Sequence, residues 1–170
     1  MGTELFVPGA SRAIEVGETA GPGNGENGRP PAGGPVADRE PEHPATAGKA
    51  RLAWPLKGVL YGRYGVRSGR RHDGIDLAAP EGTPIGAAAP GTVIFTGEQA
   101  GYGSIVILRH EGGLVTLYAH CSAVLVEEGA TVRGGQPIAR VGQTGRSSGP
   151  HLHLEVREGT RPRNPLLFLP

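Results

Sequence analysis

The chain has 170 residues, room for one ordinary domain with a tail and hardly for two. Its 30 Gly and 16 Pro argue against a helical protein and for a turn-rich all-β domain. A net charge of +1 carries no signature of nucleic-acid binding, the lone Cys121 excludes an internal disulfide or a cysteine zinc cluster, and no stretch approaches the roughly 20 apolar residues of a membrane helix.

The chain opens Met-Gly-Thr-Glu-Leu-Phe-Val-Pro, without a basic start and a long apolar run, so no secretory signal peptide is visible. Phe6 stands where a myristoylation site needs Ser or Thr. Gly21 to Ala50 holds 7 Gly and 6 Pro among 30 residues, with few large apolar side chains. Such a segment cannot bury enough surface to offset the entropy of ordering, so residues 1–50 are expected to form a disordered, partly extended tail or linker. Residues 51–170 form the expected domain. They carry 13 Lys/Arg against 9 Asp/Glu, whereas residues 1–50 carry 4 against 7. A mildly basic domain suits an anionic polymer.

From Arg51 onward, short apolar runs alternate with Gly-rich turns. Strands are predicted over Thr92–Thr96, Ile105–Leu108, Leu114–His120, Pro137–Val141 and His151–Arg157. Glu111-Gly112-Gly113 marks a hairpin turn between the second and third. No amphipathic helix and no internal repeat is evident. The expected architecture is an antiparallel β-sandwich or partly open barrel.

Two motifs carry chemistry. In His72-Asp73-Gly74-Ile75-Asp76, a straight strand would hold the outer residues about 13 Å apart, too far to share an ion. A bend is needed, and Gly74 is the residue that permits unusual backbone angles. In His151-Leu152-His153-Leu154-Glu155-Val156, strand alternation sends the leucines and Val156 to the core and His151, His153 and Glu155 to the other face. Alone, this His-x-His pattern is more often that of a solvated polar face than of a metal site. Together the motifs offer His72, Asp76 and His153, two imidazoles and a carboxylate with a fourth position free for water, which is a catalytic zinc set. The His-Glu-x-x-His helix motif is absent, so a general base must come from elsewhere. His151 lies on the same strand face as His153. By alternation Leu114, Thr116, Tyr118 and His120 share a face, making His120 a second wall of the site. His110 reads as a turn-entry residue.

These segments resemble a known family. Arg71 to Pro80 is similar to the first zinc motif of lysostaphin/LytM-type endopeptidases, Tyr118-Ala119-His120 to their central histidine motif, and Gly149 to Val156 to their second zinc motif. The likeness runs from about Trp54 to Phe168 with motif order kept. It implies the duplicated-hybrid-motif β-fold, one zinc ion on His72, Asp76 and His153, and catalytic roles for His120 and His151. It also implies peptidoglycan peptides as substrate, an endopeptidase activity on stem peptides or cross-bridges, and a place in the cell envelope, which sits uneasily with the missing signal. Arg70, Arg71 and Tyr118 are candidate substrate contacts, and a monomer is expected.

The sequence departs from the family's pattern in places. Val66 to Arg71 lacks the tyrosine that Gram-positive members often carry before the first histidine, Leu154 replaces a common Phe, and Cys121 follows His120 directly. Cys121 reads as a buried small hydrophobe. Some relatives of this kind are catalytically inactive modules that bind the wall or activate other hydrolases, but they lack ligands present here. A biotinyl- or lipoyl-carrier hairpin, suggested by Glu128 to Ile138, fails because Gly142 to Arg146 holds no lysine. A D-Ala-D-Ala-type zinc peptidase needs a longer His-to-Asp spacer than the three residues found here.

Overall fold

A computed structural model describes residues 52–67 and 69–170. The expected tail over residues 1–50 lies outside them. The described residues form twelve strands: β1 (Val59–Gly62), β2 (Gly65–Arg67), β3 (Arg70–His72), β4 (Ile75–Ala78), β5 (Pro84–Gly86), β6 (Gly91–Gln99), β7 (Gly103–Arg109), β8 (Leu114–Val124), β9 (Thr131–Val132), β10 (Pro137–Val141), β11 (His151–Glu158) and β12 (Arg161–Arg163). Two single 3-10 turns, Glu111–Gly113 and Pro165–Leu167, are the only helical pieces among these residues. No helix there is long and apolar enough to cross a membrane.

The expected all-β antiparallel architecture, a sandwich or partly open barrel, is borne out: the described residues form an open antiparallel sheet. The main sheet runs β1-β4-β11-β8-β7-β6-β9, with β10 joining β5 to β8 and β12 beside β11, while β2 and β3 form a separate hairpin. Each of the five predicted strands exists, Pro137–Val141 with the same ends and the others one to four residues longer. The short strands before Gly91 were not anticipated, because three or four residues between glycines and prolines carry too little periodicity to read.

Alternation sets the core. In β4 and β11, Leu77 pairs with Leu152 and Ile75 with Leu154, and all four join the buried cluster with Val106, Leu108, Tyr118, Ile138 and Val141. Burying one such aliphatic side chain contributes about 1.5–3 kcal/mol. Between those pairs, Asp76 opposes His153 and so faces the other way. The strand pair that holds the core thus presents the polar motif.

One polar chain runs through the apolar region. Ala88 N–H donates to the Tyr118 hydroxyl at 2.8 Å, the Thr116 and Tyr118 hydroxyls lie 3.0 Å apart, and Thr116 Oγ1 lies 2.7 Å from Nε2 of His110. Nδ1 of His110 lies 2.8 Å from the Pro90 carbonyl. The carbonyl can only accept, so Nδ1 carries the proton and Nε2 accepts from Thr116. His110 thus does enter the turn, as expected, but as a buried anchor. Burial holds its pKa below the ordinary histidine value, against a smaller opposing effect of the Pro90 hydrogen bond. Its contribution to stability is therefore complete above the unfolded-state pKa of about 6.5 and declines as pH falls below it, where the unfolded chain takes up the proton first. We predict that His110→Gln lowers stability by about 1–3 kcal/mol at pH 7.5. The gap in melting temperature from wild type should narrow toward pH 5. A gap constant across that range would contradict the neutral, buried imidazole.

Candidate metal centre

The centre is built on β3, β4, β11 and the bulged end of β8. His72 ends β3, and the Asp73-Gly74 step carries the chain from the small hairpin into the main sheet. The anticipated bend is present, but not for the reason expected. Gly74 does not adopt a left-handed φ; a Cβ there would collide with the Leu154 carbonyl and stand 2.9 Å from the His153 ring. Gly62 of β1 serves Asp76 in the same way, since a Cβ would overlap its carboxylate. Both glycines are required by close approach.

The bend brings His72 Nε2 to 3.2 Å from Asp76 Oδ1, and the β4–β11 register brings His153 Nδ1 to 2.8 Å from the same oxygen. One donor atom from each of His72, Asp76 and His153 lies within 4.8 Å of the others. The donor chemistry, two imidazoles and a carboxylate converging on a point, fits a divalent transition metal such as zinc. The opposite nitrogens are committed. His72 Nδ1 lies 2.8 Å from the Arg63 carbonyl, and His153 Nε2 lies 3.2 Å from Glu155 Oε1. Each histidine therefore offers one defined nitrogen inward.

The electrostatics are those of a compact ion cluster. Burial pushes the Asp76 carboxyl up, but hydrogen bonds from His153 and His72 outweigh it and hold the group well below the usual carboxylate range. Burial pushes His153 down, but hydrogen bonds to Asp76 and Glu155 with their charges raise it to about 9.

His151 and His120 stand beside this cluster. His151 Nε2 is 3.9 Å from Asp76 Oδ1, and the His120 and His151 ring centroids are 4.6 Å apart. His151 Nδ1 lies 2.8 Å from the Gly149 carbonyl, and His120 Nδ1 lies 2.7 Å from the Thr144 carbonyl. Both rings thus donate through Nδ1 and keep Nε2 as an acceptor when neutral. Burial, with the neighbouring His151 and His153, lowers the His120 pKa despite the Thr144 hydrogen bond. Tyr61 packs edge-on to His151 at 5.6 Å.

The route by which His120 enters the site corrects the sequence reading. Tyr118 pairs with Leu154 and Ala119 with His153, so simple alternation would return His120 to the Tyr118 face. Instead β8 bulges, placing Ala119 and His120 opposite the single residue Ile105, and His120 adopts a φ of 64°. The bulge turns His120 toward His151 and returns Cys121 to the core, where burial raises its thiol to about 12. Tyr118, expected as a substrate contact, is fully buried in the core with its hydroxyl bonded to Ala88 and Thr116. Arg70 and Arg71 are exposed on β3, where the Arg71 guanidinium pairs with Asp73 at 2.5 Å. Glu155 and Tyr102, to which the sequence reading gave no role, close the back of the centre. Only the position of Glu155, two residues beyond His153 on one strand face, hinted at it.

The profile of peptidase family M23 matches residues 70–165. The DD-carboxypeptidase/endopeptidase Mpg of Neisseria meningitidis is 55% identical over 97 residues, which cover 57% of this chain and 22% of Mpg. The chain thus spans about a fifth of that relative. The murein hydrolase activator NlpD of Salmonella typhimurium is 37% identical over 139 residues, covering 79% of this chain and 36% of NlpD. A zinc-containing peptidase from Vibrio cholerae has a solved structure that superimposes with a TM-score of 0.55 at 35% identity, covering 64% of this chain and 34% of that one.

The close approach at Gly74 is directly testable. We predict that Gly74→Ala lowers unfolding free energy by about 1–3 kcal/mol, because β4 and β11 must part to admit the methyl group. Gly149→Ala, where a Cβ meets open space, should stay within about 0.5 kcal/mol of wild type. Equal denaturation midpoints for the two variants would refute the packing.

Proposed function

The chain belongs to peptidase family M23, and we propose that it is a zinc-dependent endopeptidase that hydrolyses peptide bonds in peptidoglycan stem peptides or cross-bridges. The observation that carries this reading is the convergence of His72, Asp76 and His153 within 4.8 Å. We assign one zinc ion to these three residues. When bound, such an ion supplies Lewis acidity, which activates water and polarises a carbonyl.

The protein's own residues supply the rest. His120 and His151, with Nδ1 fixed on backbone carbonyls, each direct Nε2 to accept or return a proton. One takes the proton of the attacking water and delivers it to the leaving amine; the other, as imidazolium, donates a hydrogen bond to the developing oxyanion. Burial of His120, His151 and His153 lowers the local dielectric and strengthens these contacts. Arg70 and Arg71, exposed on the strand leading into His72, are assigned to substrate carboxylates. A peptidoglycan substrate puts the protein in the cell envelope, and we take it to act as a monomer.

A second reading, a non-catalytic module that activates another wall hydrolase, draws support from the likeness to NlpD. Against it stands the convergence of His72, Asp76 and His153, with the His120 and His151 rings beside them. Purified sacculi incubated with the protein, with products identified by mass, separate the two. After a glycan-cutting digest of the treated sacculi, we expect peptide-cleaved muropeptides from wild type and none beyond background from His72→Ala or His153→Ala, with the fold kept. His120→Ala or His151→Ala should lower the rate about 100- to 10,000-fold. Full hydrolysis by either ligand variant would overturn the zinc assignment, and inert wild-type protein would favour the activator.

A further inference from the structure

Tyr102 sits at the tip of the β6–β7 hairpin between Gly101 and Gly103, both with left-handed φ, of 86° and 68°. The tight turn holds it over the centre, and the loop after β10 packs on top, with Arg146 N–H donating to the Gly101 carbonyl at 2.9 Å. From there Tyr102 reaches both halves of the site. Its carbonyl accepts the backbone N–H of the bulged His120 at 2.9 Å. Its hydroxyl donates to Glu155 Oε1 at 2.8 Å, the oxygen that also faces His153 Nε2.

Glu155 is fully buried and clamped on its other oxygen by Arg157, through Nε at 2.7 Å and Nη2 at 2.6 Å. A carboxylate held on both oxygens cannot swing away from the imidazole. It holds the proton on Nε2 of His153 and keeps Nδ1 turned toward Asp76, the nitrogen that would face a cation once its own proton is lost. Tyr102 supplies the one neutral donor of that clamp, and its ring lies 5.8 Å from the His153 ring.

We propose that Tyr102 is a positioning residue for the metal centre, acting through Glu155 on the orientation of His153 and, through its carbonyl, on the bulge that carries His120. This inference rests on the zinc assignment made above. The test is the zinc dissociation constant, measured by competition with a chromogenic chelator, beside the melting temperature of the metal-free protein. Tyr102→Phe should weaken zinc binding roughly 3- to 10-fold, while the metal-free melting temperature changes little. Arg157→Lys, which keeps the charge but loses the two-pronged grip, should weaken it by at least as much and serves if the first variant folds poorly. Arg146→Ala changes an exposed side chain of the same loop without touching Glu155 and should leave zinc affinity unchanged. Wild-type affinity in folded Tyr102→Phe, or an equal loss in Arg146→Ala, overturns the positioning role. Absence of zinc binding by wild type overturns the metal reading itself, a distinct result.

Discussion

Antiparallel pairing of β4 with β11 fixes core and metal centre together. It sets Asp76 opposite His153 and, in the same stroke, sets Leu77 opposite Leu152 and Ile75 opposite Leu154. A slip of one residue would turn the leucines out of the core and the carboxylate into it. The aliphatic pairs thus make an alternative register costly, and the site inherits a geometry the core enforces. Gly62 and Gly74 extend this economy: each lacks a side chain where one would press on Asp76 or on the β11 backbone.

What was legible in the sequence follows from period and motif. The alternation in His151 to Val156 identified a strand, its two faces and the histidines on one of them. The short spacing from His72 to Asp76 demanded a bend, and the bend is there. What escaped depends on contacts between distant segments. Alternation placed His120 with Tyr118, and only the bulge opposite Ile105 separates them, sending one to the centre and the other to the core. Nothing local in Tyr118-Ala119-His120-Cys121 announces an extra residue. Tyr102 is likewise invisible: 53 residues separate it from Glu155, and its glycine-flanked turn reads as an ordinary hairpin tip.

The polar groups of the centre are costly to bury. Asp76, His120, His151, His153, Glu155 and Arg157 are all buried, beside a core that is largely aliphatic. An unpaired buried charge or donor there would cost several kcal/mol. Among the described residues no buried side-chain polar atom lacks a hydrogen-bond partner. Satisfaction is reached by placing the acceptors in loops: the carbonyls of Arg63, Thr144 and Gly149 each take one imidazole Nδ1–H. Three backbone carbonyls from three segments therefore decide which nitrogen three of the four histidines present.

The fourth histidine is different, and the difference is informative. His153 takes a carboxylate, not a carbonyl, as its outer partner, and it turns Nδ1 inward where His72 turns Nε2. A carboxylate makes the ring more basic and a better donor to a cation than a carbonyl does. Nothing in the packing requires a charge there, because an aliphatic residue at position 155, flanked by the fully buried Leu117, would bury well. Glu155 also obliges the fold to bury Arg157 to match it, a pair that hydrophobic residues of similar volume could replace without loss of stability. A buried ion pair that stability does not call for, aimed at the one histidine enclosed between two carboxylates, is better explained by chemistry at Nδ1 than by folding.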